Sequence, residues 1–212
     1  MSRNFKRCLI TGITGSGGSY LAEHIISKNL KTEIYGFYRS RGYLDLLKKN
    51  HGSKINFLKV DLTNYKNTLD GLKKSKPDLI FHLASNADVR GSFDEPLLHT
   101  KNNTSITANL LEAVRRLKID PLIIICSTSE VYGNVKRKDM PIKENQMIAP
   151  INPYAVTKTY QDLLSQVYAS SFNLKIIITR MFSYTNARRK NLFQTAFAMQ
   201  IARCEKKLQK TM

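Results

Sequence analysis

Short apolar runs alternate with segments of helical spacing along almost the whole chain, and this alternation restricts the fold more than any other feature. The six runs that predict strands are Arg7–Thr11, Ile34–Tyr38, Ile55–Val60, Leu79–Leu83, Leu122–Cys126 and Lys175–Thr179. The segments that predict helices are Tyr20–Lys28, Tyr65–Lys74, Thr104–Leu117, Tyr154–Ser171 and Leu192–Lys210. Strands that alternate with helices of this length indicate an α/β fold, a doubly wound parallel sheet with helices on both faces. The carboxyl ends of the strands then meet at one edge, where such sheets bind ligands.

A glycine-rich turn, TGITGSGG at residues 11–18, follows the first predicted strand. Gly12 permits a tight turn, Gly15 lets the backbone approach a phosphate, and Gly18 lets the next helix pack closely on the strand. Free N–H groups at the helix start and the helix dipole favour a bound anion. A strand, this turn and a helix together predict a site for a dinucleotide cofactor. The other contacts expected from the turn are Thr14, Ser16 and Gly17.

The residues after the second and third strands indicate which nicotinamide cofactor would bind. An acidic residue at the end of the second strand would bond the adenosine ribose and favour NAD. The chain reads EIYGFYRSR there, with Arg39 and Arg41 and no adjacent acid. Because an arginine fork suits a 2′-phosphate, we expect NADP bound by Arg39, with NAD and ordinary surface arginines as the alternative. Asp61 and Leu62, in VDLTN after the third strand, are expected at the adenine edge.

A tyrosine and a lysine four residues apart, Tyr154 and Lys158 in NPYAVTK, would share one face of a helix. A lysine ammonium favours the phenolate of a nearby tyrosine, so Tyr154 could act as a base near neutral pH, or as an acid in reverse. Thr128, just beyond the fifth strand, can hydrogen-bond the same reacting oxygen. With the glycine turn upstream, the pattern predicts a catalytic group of Thr128, Tyr154 and Lys158, the last two also contacting the cofactor.

The chain is strongly basic, with 34 Lys and Arg residues against 16 Asp and Glu and a formal net charge of +18. Such an excess attracts phosphorylated small molecules, nucleic acid or an anionic membrane surface. The basic residues are spread along the chain without a nucleic-acid-binding motif, so a solvated basic surface is favoured over a nucleic-acid partner. No apolar run could span a bilayer, and Cys8, Cys126 and Cys204 lack the spacing of a zinc site or a disulfide framework. We therefore expect a cytoplasmic protein with no membrane partner and no bound metal.

Five motifs occur in a familiar order: TGITGSGG, VDLTN, HLASNADVRGSFDEP, STSEVYG and NPYAVTK. In these motifs the chain resembles the extended short-chain dehydrogenase/reductase family, which includes nucleotide-sugar epimerases and dehydratases. The resemblance implies a Rossmann-type cofactor domain, a nucleotide-sugar substrate and cofactor contacts at Leu83, Ala84 and Ser85. It also implies a homodimer or homotetramer formed through the two long helices, here Thr104–Leu117 and Tyr154–Ser171.

Within that family, the chain is most similar to the GDP-mannose 4,6-dehydratases. The similar details are TGITGSGGSYLAEHI, Glu130 two residues after Thr128, and the arginine-rich NARRKNLF. This resemblance implies that hydride moves from C4 of GDP-mannose to NADP, water is lost across C5–C6, and hydride returns to C6. Glu130 would remove the C5 proton, although it could also be an ordinary loop carboxylate. Ser183 and Arg188 are the expected substrate contacts.

Other interpretations remain open from the sequence. Ser183 stands where the family places asparagine, and Ala87 and Asp88 stand where the dehydratases usually have serine and histidine. LFQTAFAMQIARCE is also similar to the GDP-4-keto-6-deoxy-mannose reductases, and ADVRGSF to the UDP-hexose 4-epimerases. A non-catalytic NADP-binding regulatory protein is the alternative from another class. Since family members carry a further C-terminal portion, we expect residues 1–180 to form the NADP-binding domain and 181–212 to begin a truncated substrate-binding portion, largely absent here.

Overall fold

The computed structural model describes residues 4–28, 31–189 and 193–210. Its strands are β1 (Arg7–Thr11), β2 (Glu33–Tyr38), β3 (Ile55–Lys59), β4 (Leu79–His82), β5 (Leu122–Cys126) and β6 (Lys175–Thr179). Its α-helices are α1 (Ser16–Ser27), α2 (Leu44–His51), α3 (Tyr65–Ser75), α4 (Val89–Asp94), α5 (Pro96–Leu117), α6 (Pro153–Phe172) and α7 (Phe193–Glu205). Short 3-10 turns lie at Gly52–Lys54, Ser129–Tyr132 and Arg137–Asp139.

The six strands form one parallel sheet in the order β3-β2-β1-β4-β5-β6. The strand order reverses between β1 and β4, so the chain winds first toward one edge of the sheet and then toward the other. This reversal leaves a crevice at the carboxyl ends of the central strands, where doubly wound sheets bind ligands. The predicted fold class is confirmed.

Alternating side chains of the strands feed a hydrophobic core on each face of the sheet. On one face, Leu9 of β1 packs with Leu110 and Leu111 of α5. On the other, Cys8 and Ile10 of β1 pack with Ala22 and Ile25 of α1. Burial on both faces explains why the strands read as continuous apolar runs rather than as alternating ones.

Helices α1 and α5 begin earlier than predicted, and two short helices were not predicted at all. The helix α1 begins at Ser16 rather than Tyr20, because the glycine turn itself enters the helix. The helix α5 begins at Pro96, eight residues before Thr104, because Pro96 occupies the first helical turn, where proline is tolerated. Leu97 and Leu98 in that turn are exposed, so they do not extend the apolar stripe. The short helices α2 and α4 were not predicted; Asp88 caps α4 by accepting the Gly91 N–H at 3.0 Å.

The chain divides into two compact units, Met1–Phe182 and Ser183–Met212. The first contains the whole sheet and helices α1 to α6, and the second contains α7. The predicted last helix, Leu192–Lys210, is shorter than expected: Leu192 lies outside the described residues, and the helix ends at Glu205, before Lys207 turns to a φ of 55°. None of the helices in the described ranges is long and apolar enough to cross a bilayer. The substrate-binding role expected for residues 181–212 stays a prediction.

Candidate active site

The turn between β1 and α1 can be built only with glycine at two positions. Gly12 has a φ of +67°, and a Cβ there would lie 2.8 Å from the Ala84 Cα, which is backbone following β4. A Cβ on Gly18 would lie 2.4 Å from the Gly12 carbonyl oxygen. These distances are below any ordinary contact, so the turn presses against both the β4 loop and the first turn of α1. The two roles expected from the sequence, tight turning and close packing, match this geometry.

The amino end of α1 presents backbone N–H groups without a side-chain cap. Its N-cap residue is Gly15, which has no side chain to accept hydrogen bonds from the first helical turn at Ser16, Gly17 and Gly18. Thr14 holds the turn from the other side, since its Oγ1 donates to the Ser40 carbonyl at 3.0 Å. An uncapped helix start of this kind is suited to an anion, which would satisfy the free N–H groups and meet the positive end of the helix dipole.

A cleft of about 320 Å³ opens at the carboxyl ends of β1, β2, β3 and β4. The predicted cofactor residues that line it are Gly12, Thr14, Gly15, Arg39, Asp61, Leu62, Leu83, Ala84 and Ser85. Ser16, Gly17 and Gly18 are not among the lining residues, because they lie within the start of α1. Tyr154 and Lys158, which were also expected to contact the cofactor, do not line the cleft either, and their cofactor contacts stay predictions. Polar lining residues that the sequence reasoning missed include Ser40, Asn86 and Asn102. The Ser85 Oγ is buried without a hydrogen-bond partner in the described structure, as expected for a group that a ligand would satisfy.

A cation and an anion face each other at the β2 and β3 side of the cleft. Arg39 Nη1 donates to Asn102 Oδ1 at 2.9 Å and lies 3.6 Å from Asp61 Oδ1. Burial opposes ionisation of Asp61, but hydrogen bonds from Thr63 and the Arg39 guanidinium lower its pKa below the ordinary value. Asp61 is thus a carboxylate near neutral pH. Arg41, in contrast, pairs with Asp45 on the surface and does not line the cleft.

The predicted tyrosine and lysine are both buried near the start of α6. Asn152 caps this helix, accepting the Ala155 N–H at 2.7 Å, and Pro153 occupies its first turn. Lys158 Nζ donates to the Cys126 carbonyl at the end of β5. Burial lowers the pKa of Lys158 to about 8, although Cys126 and the charge of Asp162 oppose this change. Lys158 is therefore mostly a cation at neutral pH and can lose its proton within the physiological range.

A buried histidine, His82 at the end of β4, lies near Lys158. His82 Nδ1 is 2.9 Å from Thr11 Oγ1, and its Nε2 is 3.0 Å from Thr107 Oγ1. Burial, and then the charge of Lys158, lower the pKa of His82 to about 3. The histidine is therefore neutral near pH 7 and connects β1, β4 and α5 rather than supplying charge.

The turn after β5 carries the other two predicted catalytic residues. Thr128 is buried and accepts the Glu130 N–H at 3.3 Å, which begins the 3-10 turn. Glu130 Oε2 accepts a hydrogen bond from Asn152 Nδ2 at 2.7 Å. The amide that caps α6 thereby holds the Glu130 carboxylate near the start of the helix that carries Tyr154. The structure thus places the turn that carries Thr128 and Glu130 against the start of α6, which carries Tyr154 and Lys158. The catalytic roles of these four residues stay predictions.

Two buried polar residues that the sequence reasoning missed connect the segments of the site. Asn103 accepts from the Asn86 N–H at 2.7 Å and donates to the Asn86 carbonyl at 3.1 Å and to Thr157 Oγ1 at 2.9 Å. It thus joins the cleft wall to α6. Asp162, one helical turn after Lys158, pairs with Arg180 at 2.8 Å. The spacing of Asp162 from Lys158 could have drawn attention to it, whereas Asn103 stands in a polar run without a distinguishing pattern.

Ser183 and Arg188, the predicted substrate residues, belong to the second compact unit. Within it the Arg188 N–H donates to Asn186 Oδ1 at 3.0 Å. Their substrate roles stay predictions.

Comparison with known proteins identifies a matching family and several relatives of this chain. A family model described as GDP-mannose 4,6 dehydratase matches residues 9–212. A GDP-mannose 4,6-dehydratase from Vibrio cholerae serotype O1 is 33% identical over 202 residues, which cover 91% of this chain and 53% of that protein. One from Yersinia enterocolitica is 32% identical over 200 residues, covering 90% of this chain and 53% of that protein. The chain thus spans about half the length of these curated relatives.

A solved structure of a nucleotide-sugar epimerase is also similar to this chain. The UDP-glucose 4-epimerase of Thermus thermophilus, in complex with NAD, superposes with a TM-score of 0.81 at 25% sequence identity. The match covers 94% of this chain and 63% of that one. The resemblance to nucleotide-sugar epimerases and dehydratases is confirmed, and the chain belongs to the GDP-mannose 4,6 dehydratase family.

Proposed function

We propose that this chain is the cofactor-binding and catalytic part of an NADP-dependent nucleotide-sugar 4,6-dehydratase that acts on GDP-mannose. The observation that carries the proposal is the convergence of the glycine turn, the cleft and the Thr128, Tyr154 and Lys158 segments at one edge of the sheet, in a chain of this family. Fold alone would not support an activity, but this combination of residues does.

The cleft supports a dinucleotide as the cofactor. The uncapped start of α1 would hold the pyrophosphate, and the unpartnered Ser85 Oγ would gain a hydrogen bond. Asp61 and Leu62 would lie at the adenine edge. Arg39 supports NADP over NAD, because its guanidinium lines the cleft and could pair with a 2′-phosphate in place of Asp61. When held there, NADP would supply the hydride acceptor and donor that the reaction needs.

The buried tyrosine and lysine would begin the reaction at C4 of the sugar. Tyr154 would take the proton of the C4 hydroxyl, while Thr128 hydrogen-bonds the same oxygen. The ammonium of Lys158 would favour the phenolate form of Tyr154. Lys158 is buried and its Nζ donates to the Cys126 carbonyl, which holds its charge beside the turn that carries Thr128.

A second base is needed for the loss of water. The 4-ketone formed by oxidation acidifies the proton at C5, and Glu130 would remove it so that the C6 hydroxyl can leave as water. Asn152 holds the Glu130 carboxylate at 2.7 Å, which leaves the acceptor positions of its other oxygen for this task. Hydride would then return to C6 as a proton adds to C5. The two protons taken up by Tyr154 and Glu130 balance the proton gained by C5 and the one that leaves with the C6 hydroxyl as water. Ser183 and Arg188 would contact the nucleotide sugar.

Product analysis tests this assignment against the related reactions. Incubation with GDP-mannose and catalytic NADP should give a 4-keto-6-deoxy product without added reductant. Stoichiometric consumption of NADPH by the keto product would instead indicate a reductase, and a C4-epimerised hexose would indicate an epimerase. Cofactor binding without turnover of any GDP- or UDP-sugar would favour a regulatory protein.

The variant Glu130→Gln tests the role given to the second base. It keeps the shape of the side chain, so oxidation at C4 should remain detectable by transient absorbance of the reduced cofactor while water loss falls by about a hundredfold or more. Equal loss of both steps would remove the proposed role of Glu130.

A stripe of apolar side chains on α6 supports a dimer. Val156, Tyr160, Leu163 and Val167 lie at spacings of four, three and four, and each is at least 39% exposed. We propose that this face packs against a second copy of the chain. Sedimentation velocity should give a dimer for the wild type and a monomer for Leu163→Glu, whereas Lys66→Glu on α3 should remain dimeric. A monomeric wild type would contradict the proposal.

A further inference from the structure

We propose that Asp162 is a positioning residue for the catalytic group: its carboxylate fixes the Cys126–Thr128 turn against α6 and places a negative charge beside Lys158. The inference rests on the proposed function and deepens it. Asp162 is fully buried and lies one helical turn after Lys158.

Three residues donate hydrogen bonds to the carboxylate of Asp162. Arg180 donates from Nε to Oδ2 at 2.8 Å and from Nη2 to Oδ1 at 3.1 Å, a bidentate pair. Ser127 Oγ donates to Oδ2 at 3.0 Å, and Gln166 Nε2 donates to Oδ1 at 2.7 Å. A carboxylate with this many donors is ionised and rigid, and its pKa is lowered despite burial.

Ser127 makes this carboxylate relevant to catalysis. It stands between Cys126, whose carbonyl accepts from Lys158, and Thr128. The bond from Ser127 to Asp162 therefore fixes both neighbours relative to α6. Arg180 connects Asp162 to the segments that follow this turn, since its Nη1 donates to Tyr132 Oη, at the end of the 3-10 turn Ser129–Tyr132, at 3.0 Å and to the Glu144 carbonyl at 2.7 Å.

The charges around Lys158 make Asp162 an electrostatic partner as well. The groups facing the lysine are His82 of β4, Cys126 of β5 and, on its own helix, Asp162, with Arg180 behind the carboxylate. Of these, His82 is neutral near pH 7, and Cys126 accepts the hydrogen bond of Lys158 through its backbone carbonyl. Asp162 is the carboxylate among them, so it favours the ammonium form of Lys158 on which the tyrosine base depends.

The test is the pKa of Lys158, measured by NMR titration of ¹³C-labelled lysine and assigned by loss of the signal in Lys158→Met. In Asp162→Asn, which keeps the side-chain shape, we expect the pKa to fall from about 8 to about 7. Gln166→Ala is the matched control, because it removes one hydrogen bond from the same carboxylate without removing a charge. An unchanged pKa in Asp162→Asn overturns the electrostatic role.

The variant Ser127→Ala tests the positioning role and serves if Asp162→Asn, with its unpaired Arg180, fails to fold. It should lower kcat about tenfold while the KM and the NADPH affinity stay at wild-type values. Wild-type kcat in Ser127→Ala overturns this role. The titration needs neither cofactor nor substrate, so it separates failure of this inference from failure of the proposed function, which would show as absent turnover in the wild type.

Discussion

Replacement of Gly12 by alanine should destabilise the fold, because both the conformation and the space at this position exclude a side chain. At a φ of +67°, an L-residue bears a cost of about 1–2 kcal/mol relative to glycine. The new Cβ would meet the Ala84 Cα at 2.8 Å and the Ala84 N at 2.9 Å. These are backbone atoms that cannot rotate away, so overpacking adds about 1–3 kcal/mol. The unfolding free energy should therefore fall by roughly 2–5 kcal/mol.

The assay is urea unfolding followed by circular dichroism, with NADPH affinity measured by calorimetry on the same samples. Gly52→Ala is the matched control: its Cβ would meet nothing within 4 Å, and its φ of −55° suits any residue. The control should be neutral or stabilised by about 0.4–1 kcal/mol. Because Gly12 and Ala84 both line the cleft, Gly12→Ala should also bind NADPH more weakly. A Gly12→Ala protein within about 0.5 kcal/mol of wild type would refute the reasoning.

Two further predictions concern charged groups of the site. Arg39→Ala should weaken NADPH binding about tenfold or more and leave NADH binding little changed, since only NADPH has the 2′-phosphate. Arg41→Ala is the control, because Arg41 belongs to a surface ion pair outside the cleft, and it should change the affinity for neither cofactor. An equal loss of NADPH and NADH affinity in Arg39→Ala would contradict the role of Arg39. For Lys158 the folded-state pKa of about 8 lies below the ordinary 10.5, so the unfolded chain holds more protons between these values and stability should rise with pH across that window. Relative to Lys158→Met, the wild-type unfolding free energy should therefore gain roughly 3 kcal/mol from pH 8 to 10.5; parallel pH profiles of the two proteins would show that the pKa of Lys158 is not lowered.

Local patterns were sufficient to predict the sheet and the turn at its centre. The strands β1, β5 and β6 have the predicted bounds, because strands of a parallel sheet appear in the sequence as uninterrupted apolar runs. The edge strand β6 has such a run although it is only partly buried. Gly12 and Gly18 were assigned the right conformational tasks, since only glycine accepts such close backbone contacts. The start of α5 was placed too late because Leu97 and Leu98 are exposed, which removes the periodic signal from its first turns.

The supporting polar groups of the site could not be predicted in the same way. Asp162 and Arg180 stand 18 residues apart, in α6 and just after β6. They meet only because the chain reverses between this helix and this strand. Asn103 reaches Thr157 across 54 positions. Such pairs depend on tertiary contacts and leave no spacing rule in one sequence. The catalytic roles of Thr128, Glu130, Tyr154 and Lys158 likewise stay predictions, because the fold places these residues without showing the reaction.

The most direct measurement of the proposed dehydratase reaction follows deuterium from GDP-mannose labelled at C4. Mass spectrometry and NMR of the product should find the label at C6, because the hydride removed beside Tyr154 is returned within the same turnover. Tyr154→Phe should give no labelled product while NADPH still binds. A product without deuterium at C6, or wild-type transfer by Tyr154→Phe, would contradict the account.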